Sequence, residues 1–514
     1  MKADKILVNG KIFSGLSEAI HDFLAISGNR ILAIGSGSGK SYLGRSTEVI
    51  DLKACFVVPG LVDSHLHFLD YALSLDRVNL DHCQSVSEVM TLLRKRALQT
   101  KHGEWILGRG WSKKLFDGFP NKKLLDEIFP ENPVVLNSHD EHFLWVNSQT
   151  LKAAGQTTPS SVPGGYTGTE VDGTSNGIFG ENAIPLIRNS IPKPDAATRR
   201  NSILRAQEAL HRLGITGFHS MDANQAFGDL QDLRAEDKLK LRVFHSIPLR
   251  QLEDAVRISL KSGFGDAWFQ FGFVKIFSDG TLGSQTAWML EPFGRTDQYG
   301  MESISEQNLS EKIELALRHG IAVAVHAIGD RANRQVLNAF EQNRHLLKIP
   351  RASSRIEHAQ LLHPLDIDRF AMMGIVASMQ PYHAISDREL AEQHWGTRSK
   401  YAYAWRSLLE AGAVLAFGSD APVENPDPLQ GLAAAVDRSG WTDDSQTISP
   451  FHALLAYTYN PAHISGNEKN SGSLQPKKLA DFVVLSEHPY NSAFRKNKVV
   501  GTAIDGVFVH DEFQ

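Results

Sequence analysis

Apolar residues at helical spacing, then a glycine, then a short run that is apolar at every position: this unit recurs through the middle of the chain. Ile203, Ala206, Leu210 and Leu213 line one helical face, Gly214 stops the turn, and Ile215 to Phe218 follow as a strand ending near His219. Leu309, Ile313, Ala316 and Leu317 repeat the pattern, with Gly320 ahead of Ile321 to Val325 and His326. Gly374 precedes Ile375 to Met379, which ends at Gln380. Trp405, Leu408 and Leu409 lead through Gly412 to Ala413 to Phe417 and then Gly418-Ser419-Asp420. Wholly apolar strands alternating with helices predict parallel strands covered by helices. The polar residues collect at the C-terminal ends of several different strands, as in a closed barrel, and no G-x-G-x-x-G or phosphate loop marks an open sheet. The expected architecture is α/β, a (β/α)8 TIM-like barrel.

Both ends of the chain alternate instead. Lys5 to Phe13 brackets Asn9-Gly10, a tight-hairpin signal, and Phe23 to Ile34 brackets Gly28-Asn29. Ala480 to Leu485, and Val499 to Val509 around Asp505-Gly506, have the same character. Residues 1–58 with 470–514 are expected to form a small β-sandwich domain from both termini, leaving 59–469 for the barrel. The stretch from about 68 to 200 is too long for one βα connection. It is expected to hold a barrel strand at Pro133 to Ser138 and an inserted subdomain after the first barrel strand, whose Gly-rich part, Pro163 to Gly180, would cover the mouth.

With 514 residues, 42% of them hydrophobic, the chain can bury a large core. A net charge of -5 without a basic block excludes a nucleic-acid or membrane-surface partner and leaves small molecules. No apolar run is long enough to span a bilayer, and Met1 to Gly15 lacks the apolar stretch of a secretion signal, so cytoplasmic residence is expected. Cys55 and Cys83 are too few for a disulfide framework and are read as free thiols. A homodimer is compatible with such a fold, although the sequence specifies no interface.

The candidate chemistry begins at Pro59-Gly60-Leu61-Val62-Asp63-Ser64-His65-Leu66-His67. On a strand, His65 and His67 point to the same side, where their nitrogens can converge on one divalent cation. Alone, such a pair is equally an ordinary surface or core feature. Lys275, His326, His358 and Asp420, each at or just past the end of a strand-like run, complete a ligand set. The apolar neighbours of Lys275 in Phe271 to Phe277 would depress its pKa. A neutral amine can take up carbon dioxide and become a carbamate that bridges two metals; the alternative is a barrel lysine paired with an acid such as Asp279. Asp420 alone could equally cap a helix. With metals beside it, which would polarise an acyl oxygen and activate water, Asp420 would be the catalytic proton shuttle.

The ordered combination of motifs resembles the amidohydrolase superfamily, in the amidohydrolase 3 branch of metal-dependent hydrolases similar to N-substituted formamide deformylase. The matching pieces are the Pro59 to His67 run, Val274-Lys275-Ile276-Phe277-Ser278-Asp279-Gly280-Thr281-Leu282-Gly283-Ser284-Gln285-Thr286-Ala287, Val325 to Ala332, Ile356-Glu357-His358, Phe417 to Pro422 and Lys478 to Leu485. The resemblance implies that His65, His67 and Asp420 bind one metal, His326 and His358 the other, and carbamylated Lys275 bridges them. The cofactor expected is a divalent metal, two zinc ions per chain, with manganese, iron and cobalt also suited to these ligands. The chain departs from the commoner family form at Thr281, where Ser is frequent, at Gln285, where Arg is frequent, and at Leu474 to Lys477, where a Gly is usual. Gly108-Arg109-Gly110-Trp111 and His139-Asp140-Glu141-His142 resemble segments that approach the mouth. Trp111 would offer an apolar wall, His142 a hydrogen bond to an acyl oxygen, and Asp279 a further substrate contact. Phe116, Phe119 and Trp145 would suit an apolar N-substituent if the insertion forms a lid, whereas Trp395, Trp405 and Tyr382 read as core.

The activity these features favour is hydrolysis of a non-peptide C–N bond, an amide or N-substituted formamide. An alternative is a mononuclear aminohydrolase that deaminates a heterocycle. Such enzymes usually place a Glu shortly after the strand-five histidine, and here His326 is followed by Ala-Ile-Gly-Asp. A non-catalytic scaffold would be expected to have lost ligands, and this chain retains all the candidate positions.

Overall fold

The structure is a computed structural model that describes residues 1–139, 142–294, 296–488, 490 and 494–513. It divides into two compact units, residues 1–71 with 203–514, and residues 72–202.

The larger unit is built on eight parallel strands: Leu61–Leu66 (β1), Ile215–Ser220 (β2), Arg242–Pro248 (β3), Phe269–Phe277 (β4), Ala322–Ala327 (β5), Arg355–His358 (β6), Val376–Met379 (β7) and Leu415–Phe417 (β8). They pair in sequence order into a near-closed barrel. Every residue of β5 and β6 is buried, because one face looks into the barrel and the other meets the helices. The helices follow the predicted spacing. Glu306–Arg318 buries Leu309, Ile313, Ala316 and Leu317, is capped by the Ser305 hydroxyl accepting from the Asn308 amide, and gives way to Gly320 at φ +76°. Gly374 ends Pro364–Met373 in the left-handed conformation, as the pattern required.

The junction of β8 with β1 is made by hydrogen bonds past the end of the short β8. The Asp420 amide donates to the His65 carbonyl at 2.7 Å, and the His67 amide to the Ala421 carbonyl at 3.0 Å. Buried Asp63 accepts from the Ser419 amide at 3.0 Å and from its hydroxyl at 2.6 Å. A Cβ on Gly418 would lie 2.4 Å from the His65 nitrogen, so only glycine lets the two strands approach.

Both termini contribute to two further sheets of this unit. One has four strands in the order Arg30–Gly35, Phe23–Ser27, Lys5–Val8, Glu48–Asp51. The other has six, in the order Val507–Asp511, Val499–Ile504, Phe482–Leu485, Phe56–Pro59, Lys11–Phe13, Ile20–His21. Leu7, Leu24 and Ile26 from the first pack with Ile12, Val57, Phe482 and Val484 from the second. The turns at Gly28-Asn29 and Asp505-Gly506 join antiparallel neighbours. The expected hairpin at Asn9-Gly10 does not form: Lys5–Val8 and Lys11–Phe13 lie in different sheets. Gly10 instead packs on the Leu52 to Cys55 turn, where a Cβ would meet the Leu52 side chain at 2.6 Å.

The unit of residues 72–202 carries a six-stranded mixed sheet, in the order Gly165–Thr169, Ser175–Glu181, Phe143–Val146, Val134–Ser138, Ile106–Trp111, Val78–Asn79. Val134–Ser138, expected in the barrel, belongs here. It pairs antiparallel with Phe143–Val146 just downstream and parallel with Ile106–Trp111. A run buried on both faces reads alike in either sheet, and the local antiparallel partner decides between them. Among the described residues no helix is long and apolar enough to cross a membrane.

Candidate metal centre

The period-two spacing on β1 delivers what it predicted: His65 and His67 both turn to the pocket at the C-terminal end of the barrel. His65 Nε2 lies 3.4 Å and His67 Nε2 3.3 Å from Asp420 Oδ1. The other nitrogen of His65, Nδ1, stands 2.7 Å from Glu357 Oε2, with both side chains sealed from water. A carboxylate there requires the proton on Nδ1 and leaves the Nε2 lone pair aimed at the pocket.

Glu357 is held in turn by Arg355, whose Nε lies 2.6 Å from its Oε1. The guanidinium is 1% exposed, sits 4.0 Å over the Phe273 ring, and places Nη1 2.7 Å from His219 Nδ1. Burial opposes ionisation of Glu357, but the charge of Arg355, the contact and hydrogen bond with His65, and Lys275 outweigh it, so the carboxyl titrates well below its usual range. Strand alternation would put His358 on the face opposite Glu357. Its left-handed backbone, φ +71°, breaks the alternation and brings both residues to the site. Asp420, at φ +62°, is turned in the same way.

The remaining ligand candidates converge. The His326 and His358 rings are 4.5 Å apart, and those of His65 and His358 4.9 Å. His326 Nε2 donates to the Gly280 carbonyl at 3.0 Å, leaving Nδ1 as its free lone pair. Burial, reinforced by Lys275, pushes His326 down to about 3, and burial with the neighbouring His326 and His65 holds His358 well below its usual value. Both imidazoles are therefore neutral near pH 7, the form that binds metals. Lys275 Nζ is buried with no hydrogen-bond partner among the described residues. Burial lowers its pKa to about 8, Glu357 and Asp420 offsetting part of the effect.

Asp420 belongs to two groups whose ligand atoms all lie within 4.8 Å of one another: His65, His67 and Asp420, and His358, His383 and Asp420. Burial resists its ionisation, but His65, His383 and His67, each with a ring nitrogen 3.3–3.5 Å from its oxygens, hold its pKa well below the usual range. His383 is the residue that sequence reasoning missed. It opens the short helix His383–Ser386 beyond β7, with Nε2 3.5 Å from Asp420 Oδ2 and Nδ1 3.7 Å from Asp387 Oδ2. Its sequence position, past Gln380 and inside a loop, fits no strand-end rule.

Of the three expected substrate contacts, two belong to the unit of residues 72–202 and the third, Asp279, is buried in the larger unit. Trp111 is fully buried in the core of residues 72–202, its Nε1 donating to the Leu136 carbonyl at 2.8 Å, so it offers no wall to a ligand. His142 is exposed on that same unit and pairs with Glu181 at 3.0 Å; Asp140 and Glu141 of its motif lie outside the described residues. Asp279 has its oxygens occupied by the amides of Trp288, Ile328 and Gly329 at 2.8–3.1 Å, with His326 Nε2 3.6 Å away. It pins the loop after β4 to the start of the helix Asp330–Gln342, and burial lifts its carboxyl to about 7 against those amides. Trp145 is core, Phe116 packs on it, and Phe119 stacks on Tyr166, all within residues 72–202. Trp395 and Trp405 are core, as expected; Tyr382 is only half-buried.

The pocket has a volume of about 330 Å³ and combines the histidines, Lys275 and Asp420 with Gln360, Asp387, Glu424 and an apolar rim of Phe277, Leu282, Ile328 and Val423.

Comparison with known proteins agrees with this geometry. The model of the amidohydrolase family matches residues 48–510. Protein LONG AFTER FAR-RED 3 of Arabidopsis thaliana is 33% identical over 98% of this chain and 91% of its own length. N-substituted formamide deformylase of Arthrobacter pascens is 25% identical over 95% and 94% of the two chains. The crystal structure of an uncharacterized metal-dependent hydrolase from Pyrococcus furiosus superposes with a TM-score of 0.81 at 29% identity, covering 95% of this chain and 99% of that one.

Proposed function

The chain belongs to the amidohydrolase family, and we propose on that footing that it is a metal-dependent hydrolase of non-peptide C–N bonds, in amides or N-substituted formamides. The observation that carries the proposal is the convergence of His65, His67, Lys275, His326, His358 and Asp420 on one pocket at the C-terminal ends of separate strands.

The residues present fit a pair of divalent cations. The imidazoles of His326 and His358 are held neutral, His65 has its tautomer set by Glu357, and Lys275 carries a buried amine without a hydrogen-bond partner among the described residues. That amine, as a carbamate, would bridge an ion held by His65, His67 and Asp420 to one held by His326 and His358. Zinc suits this donor set. Divalent cations so held supply Lewis acidity and lower the pKa of water into the neutral range.

The side chains account for the rest of the reaction. Asp420, kept ionised by its three histidine neighbours, accepts a proton from the attacking water at a carboxylate oxygen and delivers it to the departing nitrogen. His383 faces the same carboxylate and orients it. Glu357 and Arg355 keep the His65 ring from turning. The water oxygen bonds to the acyl carbon as the C–N bond breaks, giving a carboxylic acid and an amine.

Elemental analysis of the purified protein, with intact mass measured on gently handled samples, is expected to give about two metals per chain and a mass increment of one carbon dioxide on Lys275. Screening N-formyl and N-acyl amines is expected to find turnover that Asp420→Asn lowers at least about a hundredfold. Full activity of Asp420→Asn would eliminate the proton-transfer role, and one metal without carbamate would favour a mononuclear aminohydrolase.

A further inference from the structure

The walls of the metal pocket differ in charge from the ligand cluster at its base. Phe277 and Val423 stand at the rim, 52% and 60% exposed, and Leu282 and Ile328 continue the apolar surface inward. Beside them are two carboxylates, Asp387 and Glu424. No arginine, and no lysine other than Lys275, lines this pocket among the described residues.

The two acids are not equivalent. Asp387 is provided for: Gln360 Nε2 donates to it at 2.8 Å, the Tyr403 hydroxyl at 3.0 Å, and His383 Nδ1 is 3.7 Å away. Glu424 is half-buried, lies near the Ser386 hydroxyl, and faces the like charges of Asp387 and Asp420. Burial and those two carboxylates make its ionised form unfavourable, with Ser386 and the charge of His383 offsetting only part. The cation nearest these acids, His383, already lies between Asp387 and Asp420 at 3.7 and 3.5 Å, so Glu424 is relieved when a ligand brings a further cation. A ligand carboxylate at the same place would meet Glu424 and Asp387 with no arginine to receive it.

Resting on the amide-hydrolase reading above, we infer that Glu424 sets the charge of the substrate. The site takes amides whose N-substituent carries a cationic group on a short apolar body, and rejects amides with a carboxylate on that side, N-acyl amino acids among them. The apolar body lies against Phe277, Val423 and Leu282 and the cation reaches Glu424. The cavity, about 330 Å³, is at the small end of the range for such ligands.

The test uses the metal-loaded full chain and N-formylbenzylamines that differ only at the para position: aminomethyl, methyl and carboxylate. The expected order of kcat/KM is cation, neutral, anion, with at least about tenfold between the extremes, the effect of one partly buried ion pair. Glu424→Gln, nearly isosteric, is expected to reduce the cation-to-anion ratio towards one, and Glu424→Lys to invert it. Calorimetric titration with the corresponding free benzylamines reads the same preference without turnover. Selective binding of the diamine that Glu424→Gln abolishes, in a protein that hydrolyses no formamide, would refute the hydrolytic reading and keep the charge assignment. Anionic and cationic substrates turned over equally, with a ratio unmoved by Glu424→Lys, would overturn the assignment and leave the hydrolase.

Discussion

Glu357 places a negative charge where no water reaches, and two neighbours depend on it: Arg355, itself 1% exposed, and the Nδ1 of His65. Removing one member of such a pair strands the other. Glu357→Ala is therefore expected to destabilise the metal-free protein by about 3–5 kcal/mol and to weaken metal binding about 10–100-fold through loss of the His65 tautomer. Denaturant unfolding of metal-free protein and metal titration read the two effects separately; wild-type metal affinity in Glu357→Gln would show that the charge does not orient His65. Lys275 yields an expectation in pH. Its pKa of about 8 leaves roughly a tenth of the amines neutral near pH 7, against fewer than about one in a thousand for an ordinary lysine. A folded-state pKa below the unfolded one means a buried ammonium penalises the metal-free fold below pH 8. That penalty fades as pH rises from about 8 towards 10.5. The same neutral amine adds carbon dioxide and releases a proton, so carbon-13 label on metal-free protein at fixed carbon dioxide pressure is expected to rise steeply between about pH 6 and 8 and to go on rising above that until the site saturates. Lys275→Met should carry none, and a pH-independent wild-type signal would remove Lys275 as its origin. His65 and His67 were legible because strand periodicity aims them together, and His326 and His358 because they close apolar strands; His383 was not, because it lies in a loop beyond β7. Trp111 was misread because an aromatic beside glycines is as well suited to a core as to a binding wall, and only tertiary contacts distinguish the two.

At the scale of elements, the helix, glycine, strand unit was legible because glycine C-caps and wholly apolar strands are local consequences of sequence. Partner choice is not local at the Asn9-Gly10 turn, whose flanking strands join different sheets, whereas Val134–Ser138 was placed in the wrong sheet because a run apolar throughout does not distinguish a barrel strand from one paired with its downstream neighbour. Closure of the barrel is also tertiary, and Gly418 is where it can be tested. A methyl there would meet the His65 amide nitrogen at 2.4 Å and the Asp63 carboxylate at 2.7 Å, both held by backbone and so unable to yield. Gly418→Ala is expected to cost about 1–3 kcal/mol and to displace the end of β1, lowering metal occupancy along with stability. Elemental analysis of the soluble variant reads the occupancy. Full occupancy in a destabilised protein would mean that β8 yields while β1 stays fixed.

For the larger unit as a whole, the C-terminal residues brace the strand that carries the histidines. Phe482–Leu485 pairs with Phe56–Pro59, which passes through Gly60 directly into β1. A guanidinium helps to fasten the brace to the barrel. Arg242, the first residue of β3, donates to Asp481 Oδ1 at 2.8 Å and to Asp505 Oδ1 at 2.7 Å, while the Asp505 amide donates to Asp481 at 2.9 Å. Asp481 and Asp505 raise the Arg242 pKa despite its burial, so the clamp stays charged throughout the working range. Without the cation the two carboxylates face each other, nearly enclosed. Arg242→Met is expected to lose about 2–4 kcal/mol in denaturant unfolding, with Arg242→Lys recovering only part because a lysine cannot serve both acids in the same fork. The clamp lies at the start of β3, whereas the ligands lie at the opposite, C-terminal ends of the strands. Metal content of the folded Arg242→Met protein should therefore equal wild type, in contrast to Gly418→Ala. Metal loss in proportion to stability would instead make the bracing sheet and the centre one cooperative unit.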